Sequence, residues 1–385
     1  MERLAATERA DWQARVESRG FPIHTPGGPY WDESACYAFT AREIDVLEKA
    51  TGALQELVLE AVGYVVESGE WWDRLHVPAH LVPLVRASWE ACDGQGAPSI
   101  YGRMDLAWTG DGPPKLLEYN ADTPTALIEA AVVQWDWLQD VQPEQDQFNS
   151  IHERLVAGWK DLAPWLPVGP LHFACGDSAE DVLTTTYLQD TAAQAGLRTA
   201  FTRMLDIGWD GLRFVDAKND PILGCFKLYP WEWMANEAFA EHLGRATTRW
   251  IEPPWKLVVS NKAFLALLHE RNPGHPNLLR ATLGEPAPGM RSYARKPVFG
   301  REGADVTLVR DGDAFAQGTA GGYGEEGFVY QELFVFGDRF GGNTPVIGSW
   351  LVQGEPAGIG IRESAGPITN DASRFVPHFF TRGTR

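Results

Sequence analysis

A mixed α/β (α+β) fold is what the sequence predicts, on three observations. Between residues 170 and 226 strand-like and helix-like patterns alternate: PLHFAC, AEDVLTTTYLQDTAAQAG, RTAFT and LRFVDAKNDPILGCF. Such alternation builds sheets covered by helices. From Pro253 onward, short apolar strands separated by glycine-rich turns take over. No internal repeat or low-complexity linker divides the 385 residues. One interleaved unit is therefore expected, with approximate sub-regions at residues 1–140, 141–252 and 253–385.

Each element has its own signal. Thr40 and Glu43 form a capping box ahead of Ile44, Leu47, Leu54, Leu57, Val58, Ala61, Val62 and Val65, which recur at helical spacing up to a stop at Gly69. SIYGRMDLAW, TGDGPP and KLLEYN read as strand, turn and strand. Thr123 and Pro124 suit an N-cap and first position of a helix running through Leu138. In the alternating region, LRFVDAKNDPILGCF reads as a hairpin. PPWKLVVSNKAFLALLHE reads as a short strand and a helix, and YARKPVFGREGADVTLV and GFVYQELFVF as strands around glycine-rich turns. PVIGSWLVQGEPAGIGIRES adds two strands before an irregular tail.

Composition narrows the function. The 52 acidic and 33 basic residues leave a net charge of −19, which argues against nucleic acid or an anionic membrane as partner. The balance suits a cationic substrate, and equally an ordinary acidic protein. Cys36, Cys92, Cys175 and Cys225 form no CxxC pair, so neither a zinc site nor a disulfide framework is expected. The charged N-terminus lacks the apolar core of a signal peptide, and no apolar run is long enough to span a membrane, so a cytoplasmic protein is expected. The sixteen tryptophans would suit sugar stacking, but most sit among aliphatics, where packing is the simpler use.

The hairpin carries the strongest chemical signal. Alternation puts Arg103 and Asp105 on one face of the first strand, and Glu118 and Asn120 on one face of the second. In register, two carboxylates and an amide oxygen make the hard oxygen set that Mg²⁺ prefers. Arg103 beside them suits a phosphoryl or carboxylate group. A solvated hairpin face with an ordinary ion pair would show the same spacing. A helix start at Thr123 to Thr125 would add an anion site next to it.

KPVFGREG places Lys296 at a strand end, followed by Gly300, Arg301 and Gly303. Such a loop suits phosphate, or is simply a hairpin turn, and it is not a GxxxxGK[ST] loop. Lys262 in SNKAFL stands at a strand-to-helix junction, and YQELF offers backbone edges at Gln331, Glu332 and Leu333. Arg362 in the apolar strand GIGIRE needs a partner or a cavity. No serine–histidine triad or GxSxG is readable.

With these residues in view, the chain resembles the glutathionylspermidine synthase family, specifically its synthetase module with the ATP-grasp fold. The likeness runs through YGRMDLAW, KLLEYNADTPTALIEA, EDVLTTTYLQD, FKLYPWEW, SNKAFLALLHE, KPVFGREG and VIGSWLVQGEPAGIGIRES, and covers nearly everything after about residue 20. It implies a fold, ATP and Mg²⁺, and roles by position. Asp105, Glu118 and Asn120 match the metal ligands, and Arg103 an arginine near the transferred phosphate. Thr123 and Thr125 match hydroxyls near the peptide-like carboxylate. Lys262 and Lys296 match nucleotide-binding lysines, with residues 300–303 in a mobile lid open to proteolysis at Arg301 or Arg295. Gln331 to Leu333 would hold adenine, and Arg362 corresponds to an arginine that reaches the acyl phosphate. The small-molecule amine is expected to be a polyamine.

Two departures stand out. The amidase domain of the bifunctional members has no counterpart in the sequence, and threonine replaces serine at positions 123 and 125. Two other readings compete with a ligase: a catalytically silent nucleotide-binding protein of the same fold, and a carbohydrate hydrolase using two carboxylates.

Overall fold

The computed structural model describes residues 1–381 apart from Gly27 and Gln95, and the side chains of Cys92 and Asp93 lie outside the described set. The capping box is present: the Thr40 side chain accepts from the Glu43 N–H at 3.2 Å, and Glu43 Oε2 accepts from the Thr40 N–H at 2.8 Å. The helix Ala41–Ser68 ends at Gly69, whose φ of 74° is left-handed. Its buried stripe includes Ile44, Leu47, Leu54, Val58, Val62 and Val65, as the periodicity predicts.

That stripe covers a five-stranded antiparallel sheet. Its order is Arg374–Val376, Glu355–Ser364, Thr344–Val352, Tyr101–Ala107, Lys115–Asn120. The hairpin therefore forms as predicted, with its first strand zipped to one from the end of the chain. Trp350 lies opposite Arg103 and Gly348 opposite Asp105. A Cβ on Gly348 would sit 2.8 Å from Cδ of Arg103, so a bare backbone there leaves the guanidinium its room.

A second sheet is wholly parallel, ordered Arg249–Ile251, Gly224–Leu228, Leu171–Cys175, Thr199–Arg203, and crossed by the helix Ala179–Gln194. Here the expected hairpin over residues 212–226 closes only around its turn, where Val215 bridges Pro221 and the Ile222 N–H donates to the Phe214 carbonyl at 2.9 Å. Phe214–Val215 pairs back with Gly208–Trp209, and Gly224–Leu228 joins the sheet centre. All five of its residues are buried, which suits a central parallel strand and not half of an exposed hairpin. A third, antiparallel sheet runs Ala281–Leu283, Phe328–Glu332, Tyr293–Pro297, Thr307–Arg310, Asp313–Gln317. A small fourth joins Glu2–Ala5, Ala35–Thr40 and His378–Thr381.

Two more elements depart from the sequence reading. Pro254–Val258 is a 3₁₀ turn, not a strand, and the helix Phe264–Arg271 follows it. The helix expected from Thr123 begins only at residue 127, and Glu129–Val133 is a π-helical stretch. Residues 121–126 are held in irregular form by other side chains, described next.

Among the described residues no helix is long and apolar enough to cross a membrane. Cys36, Cys175 and Cys225 are buried free thiols.

Candidate active site

Pairing brings Arg103 opposite Asn120 and Asp105 opposite Glu118. Arg103 clamps Asp105 with two hydrogen bonds, Nε to Oδ1 at 2.7 Å and Nη2 to Oδ2 at 3.1 Å. The Asn120 amide bridges the two acids, donating to Asp105 Oδ2 at 3.1 Å and to Glu118 Oε1 at 3.2 Å. Lys262 Nζ reaches Glu118 Oε2 at 2.9 Å and the Gly300 carbonyl at 2.6 Å. Lys296 Nζ donates to the Leu117 carbonyl at 3.0 Å and to Gln331 Oε1 at 2.7 Å.

Charge balances unevenly over this face. Burial raises the Asp105 carboxyl against the pull of Arg103, with Glu118 adding to the rise. Glu118 is also pushed up by burial, but Lys262 and Lys296 outweigh that and hold it well below the usual carboxylate range. Burial lowers Lys296 to about 8 despite Glu118. Two carboxylates thus share one amide as spacer. If the Asn120 amide turned over, its oxygen would join theirs in an all-oxygen donor set, so the residues fit a divalent cation.

The segment after the hairpin is fastened from three sides. Lys256 Nζ donates to the carbonyls of Ala121 and Tyr101, each at 2.6 Å, and pairs with Glu252 at 2.6 Å. Tyr101 Oη donates to the Pro124 carbonyl at 3.0 Å, and Arg103 Nη1 to that of Thr125 at 2.7 Å. Between them, Asp122 pairs with Lys227 at 2.6 Å, the two side chains being 3% and 0% exposed. Its second oxygen accepts the Trp231 N–H at 2.9 Å. These bonds take the place of helical ones. Thr123 and Thr125 therefore stand on an irregular strap and not at a helix N-terminus.

Every residue singled out from the sequence lines one cavity of about 960 Å³: the hairpin four, Thr123, Thr125, Lys262, Lys296, Gly300, Arg301, Gly303, Gln331, Glu332, Leu333 and Arg362. Some backbone edges are already engaged, since the Glu332 N–H donates to the Arg280 carbonyl at 2.7 Å and that of Leu333 to Ser292 at 3.2 Å. Arg362 Nη2 donates to the Asn370 carbonyl at 2.9 Å, while its buried Nε has no partner among the described residues.

The loop at residues 300–303 lies across the cavity. Arg301 pairs with Glu232, touches the Thr123 hydroxyl at 3.4 Å and sits 5.3 Å above the Trp233 ring. Gly303, at φ 70°, abuts the Thr369 carbonyl so closely that a Cβ would come within 2.3 Å. Arg295, by contrast, lies within Tyr293–Pro297 and is paired with strands on both sides, so it is no protease site. Trypsin is therefore expected to cut at Arg301, more slowly when Mg·ATP is present. Glu232→Gln should speed cutting of the free protein by up to about fivefold, the worth of one partly exposed ion pair. Gel-resolved cleavage rates check this, and equal rates with and without nucleotide would count against a lid.

The chain matches the family model described as glutathionylspermidine synthase preATP-grasp over residues 3–381. It belongs to that family. Membership places it among the ATP-grasp carbon–nitrogen ligases. A Haemophilus influenzae member named "Putative acid--amine ligase" is 38% identical, over 97% of each chain. Trypanothione synthetase of Crithidia fasciculata is 29% identical over 84% of this chain and 53% of its own length. The bifunctional glutathionylspermidine synthetase/amidase of Escherichia coli is 24% identical over 89% of this chain and 58% of its own. This glutathionylspermidine synthase family chain thus spans just over half the length of those two. A solved glutathione synthetase-like effector from Globodera pallida shares the fold at a TM-score of 0.58, with 10% identity and 96% coverage of both chains.

Sequence reasoning missed Lys227, Glu252, Lys256, Tyr30 and Glu129. Lys227 carried a readable signal. It stands in the apolar strand GCFKL as Arg362 does in GIGIRE, and a charge so placed needs a partner.

Proposed function

We propose that the chain joins a peptide-like carboxylate to a cationic amine, using ATP and Mg²⁺ and passing through an acyl phosphate. One observation carries the reading: two carboxylates and an amide at paired positions of a hairpin, faced by two lysines across a single cavity. Asp105, Glu118 and Asn120 would hold the metal, which would neutralise phosphate charge and align the γ-phosphoryl group. Lys262 and Lys296 bind nucleotide phosphates, with adenine against Gln331 to Leu333. Thr123 and Thr125 orient the carboxylate, whose oxygen attacks phosphorus beside Arg103. Arg362 meets the acyl phosphate with its unpartnered Nε. Bringing two anions together in line is the main barrier, and these cations lower it. Attack by the amine then gives amide and phosphate.

Carboxylates away from the hairpin favour a polyamine. Glu129, Glu180, Asp181, Glu302 and Asp371 all line the cavity. Glu302 shares a hydrogen bond with Asp371, and that bond, burial and the Asp371 charge push it up to about 7. Below that pH it carries a proton and attracts an ammonium group less. Spermidine affinity is therefore expected to weaken as pH falls through about 7, and to weaken with salt, since exposed pairs are screened over about 8 Å at physiological ionic strength. Calorimetric titration at several pH values and salt concentrations checks this. Affinity that ignores both would leave the ligase and remove the polyamine.

The deciding experiment is an ADP-release screen of peptides, glutathione first, crossed with di- and polyamines and neutral amino acids, with products weighed by mass spectrometry. Amine-dependent ADP release with a matching amide supports the reading. Thermal stabilisation by Mg·ATP without any release would mark a silent nucleotide-binding protein.

A further inference from the structure

We infer that Glu129 takes the proton from the attacking amine, an assignment that rests on the ligase reading above. Three cavity carboxylates are nearly fully buried: Asp105, Asp122 and Glu129. The first belongs to the metal face and the second is locked to Lys227. Glu129, 3% exposed, forms no ion pair among the described residues, and its one side-chain bond is from Tyr30 Oη to Oε1 at 2.7 Å. A desolvated carboxylate with no direct ion pair, lining a reaction cavity, costs stability that a structural role would not require.

The backbone around it is also unusual. Ala126 holds φ at 63°, a left-handed conformation that side chains with a Cβ rarely adopt. Three residues later the chain enters the π-helical stretch that begins at Glu129 itself. Strain and π turns persist where the surrounding structure imposes them, often at working sites. Here they lie between the Thr123–Thr125 strap and Glu129, and Thr123, Thr125 and Glu129 all line the cavity.

The groups that act on Glu129 suit a base. Burial and the nearby Glu180 raise it, while the Tyr30 hydroxyl and Arg362 oppose the rise, leaving it at about 7. A carboxylate poised there is half ionised at neutral pH and can take the proton that an ammonium group must lose before its lone pair attacks. Arg362 also acts on Asp105 and Glu302, so Glu129 shares its guanidinium with both the metal face and the acidic end. In the step, the nitrogen lone pair attacks the acyl carbon and the C–N bond forms. Glu129 takes the ammonium proton that frees this lone pair, the C–O bond to phosphate breaks, and phosphate leaves with that electron pair and with the surplus proton that acylation leaves on nitrogen.

The test compares two nucleophiles with the fastest carboxylate of the screen, glutathione being the first probe. Spermidine must lose a proton, whereas hydroxylamine is uncharged at neutral pH and traps acyl phosphates as hydroxamates. Glu129→Gln is expected to cut amide formation with spermidine by roughly 10²-fold or more, the usual worth of a general base. Hydroxamate formation should stay within about threefold. An equal fall in both, or no fall in either, overturns the assignment. Tyr30→Phe is the second variant, because losing its hydrogen bond should raise Glu129 further. It should move the acidic limb of the spermidine pH–rate profile upward, with no matching change for hydroxylamine, and an unmoved limb also overturns the assignment. If the wild-type chain gives neither amide nor hydroxamate, the ligase reading itself fails, and this one with it.

Discussion

Replacing Glu118 by glutamine is expected to lower amide formation by roughly 10³-fold or more, about 4 kcal/mol of barrier, with the fold intact. The substitution keeps volume and removes one charge from the pair of carboxylates that would hold Mg²⁺. It also strips the counter-ion from Lys262, which Glu118 Oε2 meets at 2.9 Å, and from Lys296, whose charged form it favours. Lys296 should then lose its proton more readily, weakening its hold on phosphate. The fold should survive because the Glu118 side chain is 28% exposed and the hairpin is paired along its backbone. Initial rates at saturating magnesium, with circular dichroism of the variant, check this. Turnover at the wild-type rate would remove Glu118 from the metal face.

The second large effect concerns stability. Lys227→Met leaves Asp122 ionised and 3% exposed, with only the Trp231 N–H still bonded to it. Breaking a buried pair from one side costs about 3–5 kcal/mol, because the remaining charge has no counter-ion. Adding Asp122→Asn removes that charge and should restore much of the loss, since the cost lies in the orphan and not in the absent attraction. Denaturant unfolding of the two variants and the wild type measures both. A single-variant loss under about 1 kcal/mol would mean that the pair is not holding the strap. Turnover should fall as well, because Asp122 sits between Asn120 and Thr123.

What could be read from the sequence was whatever local pattern decides. The capping box at Thr40 and Glu43, the Ile44 to Val65 stripe and the hairpin register each follow from neighbours within a few residues. Register did most for the site, since period-two alternation fixes which side chains converge once two strands pair. The helix at Thr123 failed for the opposite reason. Its capping signal is local, but Lys256, Tyr101, Arg103 and Lys227 arrive from elsewhere and claim the carbonyls and carboxylate of residues 121–125. The same holds for Pro254–Val258, where Lys256 is drawn to Glu252 and Ala121. The hairpin expected over residues 212–226 stops at Ile222, and Gly224 onward joins the parallel sheet, because a buried apolar run serves a hairpin or a parallel sheet equally well until its neighbours are known.

The strand Thr344–Val352, which zips onto the acidic hairpin, also sets a timetable for biosynthesis. About 240 residues separate Asp105 from its partner Gly348. At roughly 5–20 residues per second, the hairpin waits on the order of 10–50 s on the ribosome before that edge can be covered. Meanwhile one side of Tyr101–Ala107, a strand whose residues are all buried in the finished protein, offers unpaired backbone groups to any passing strand. Pairings this distant in sequence also form slowly once the chain is free. Chaperone demand should therefore peak late in translation, and slowing the ribosome near residue 340 should lower yield more than the same pause near residue 240.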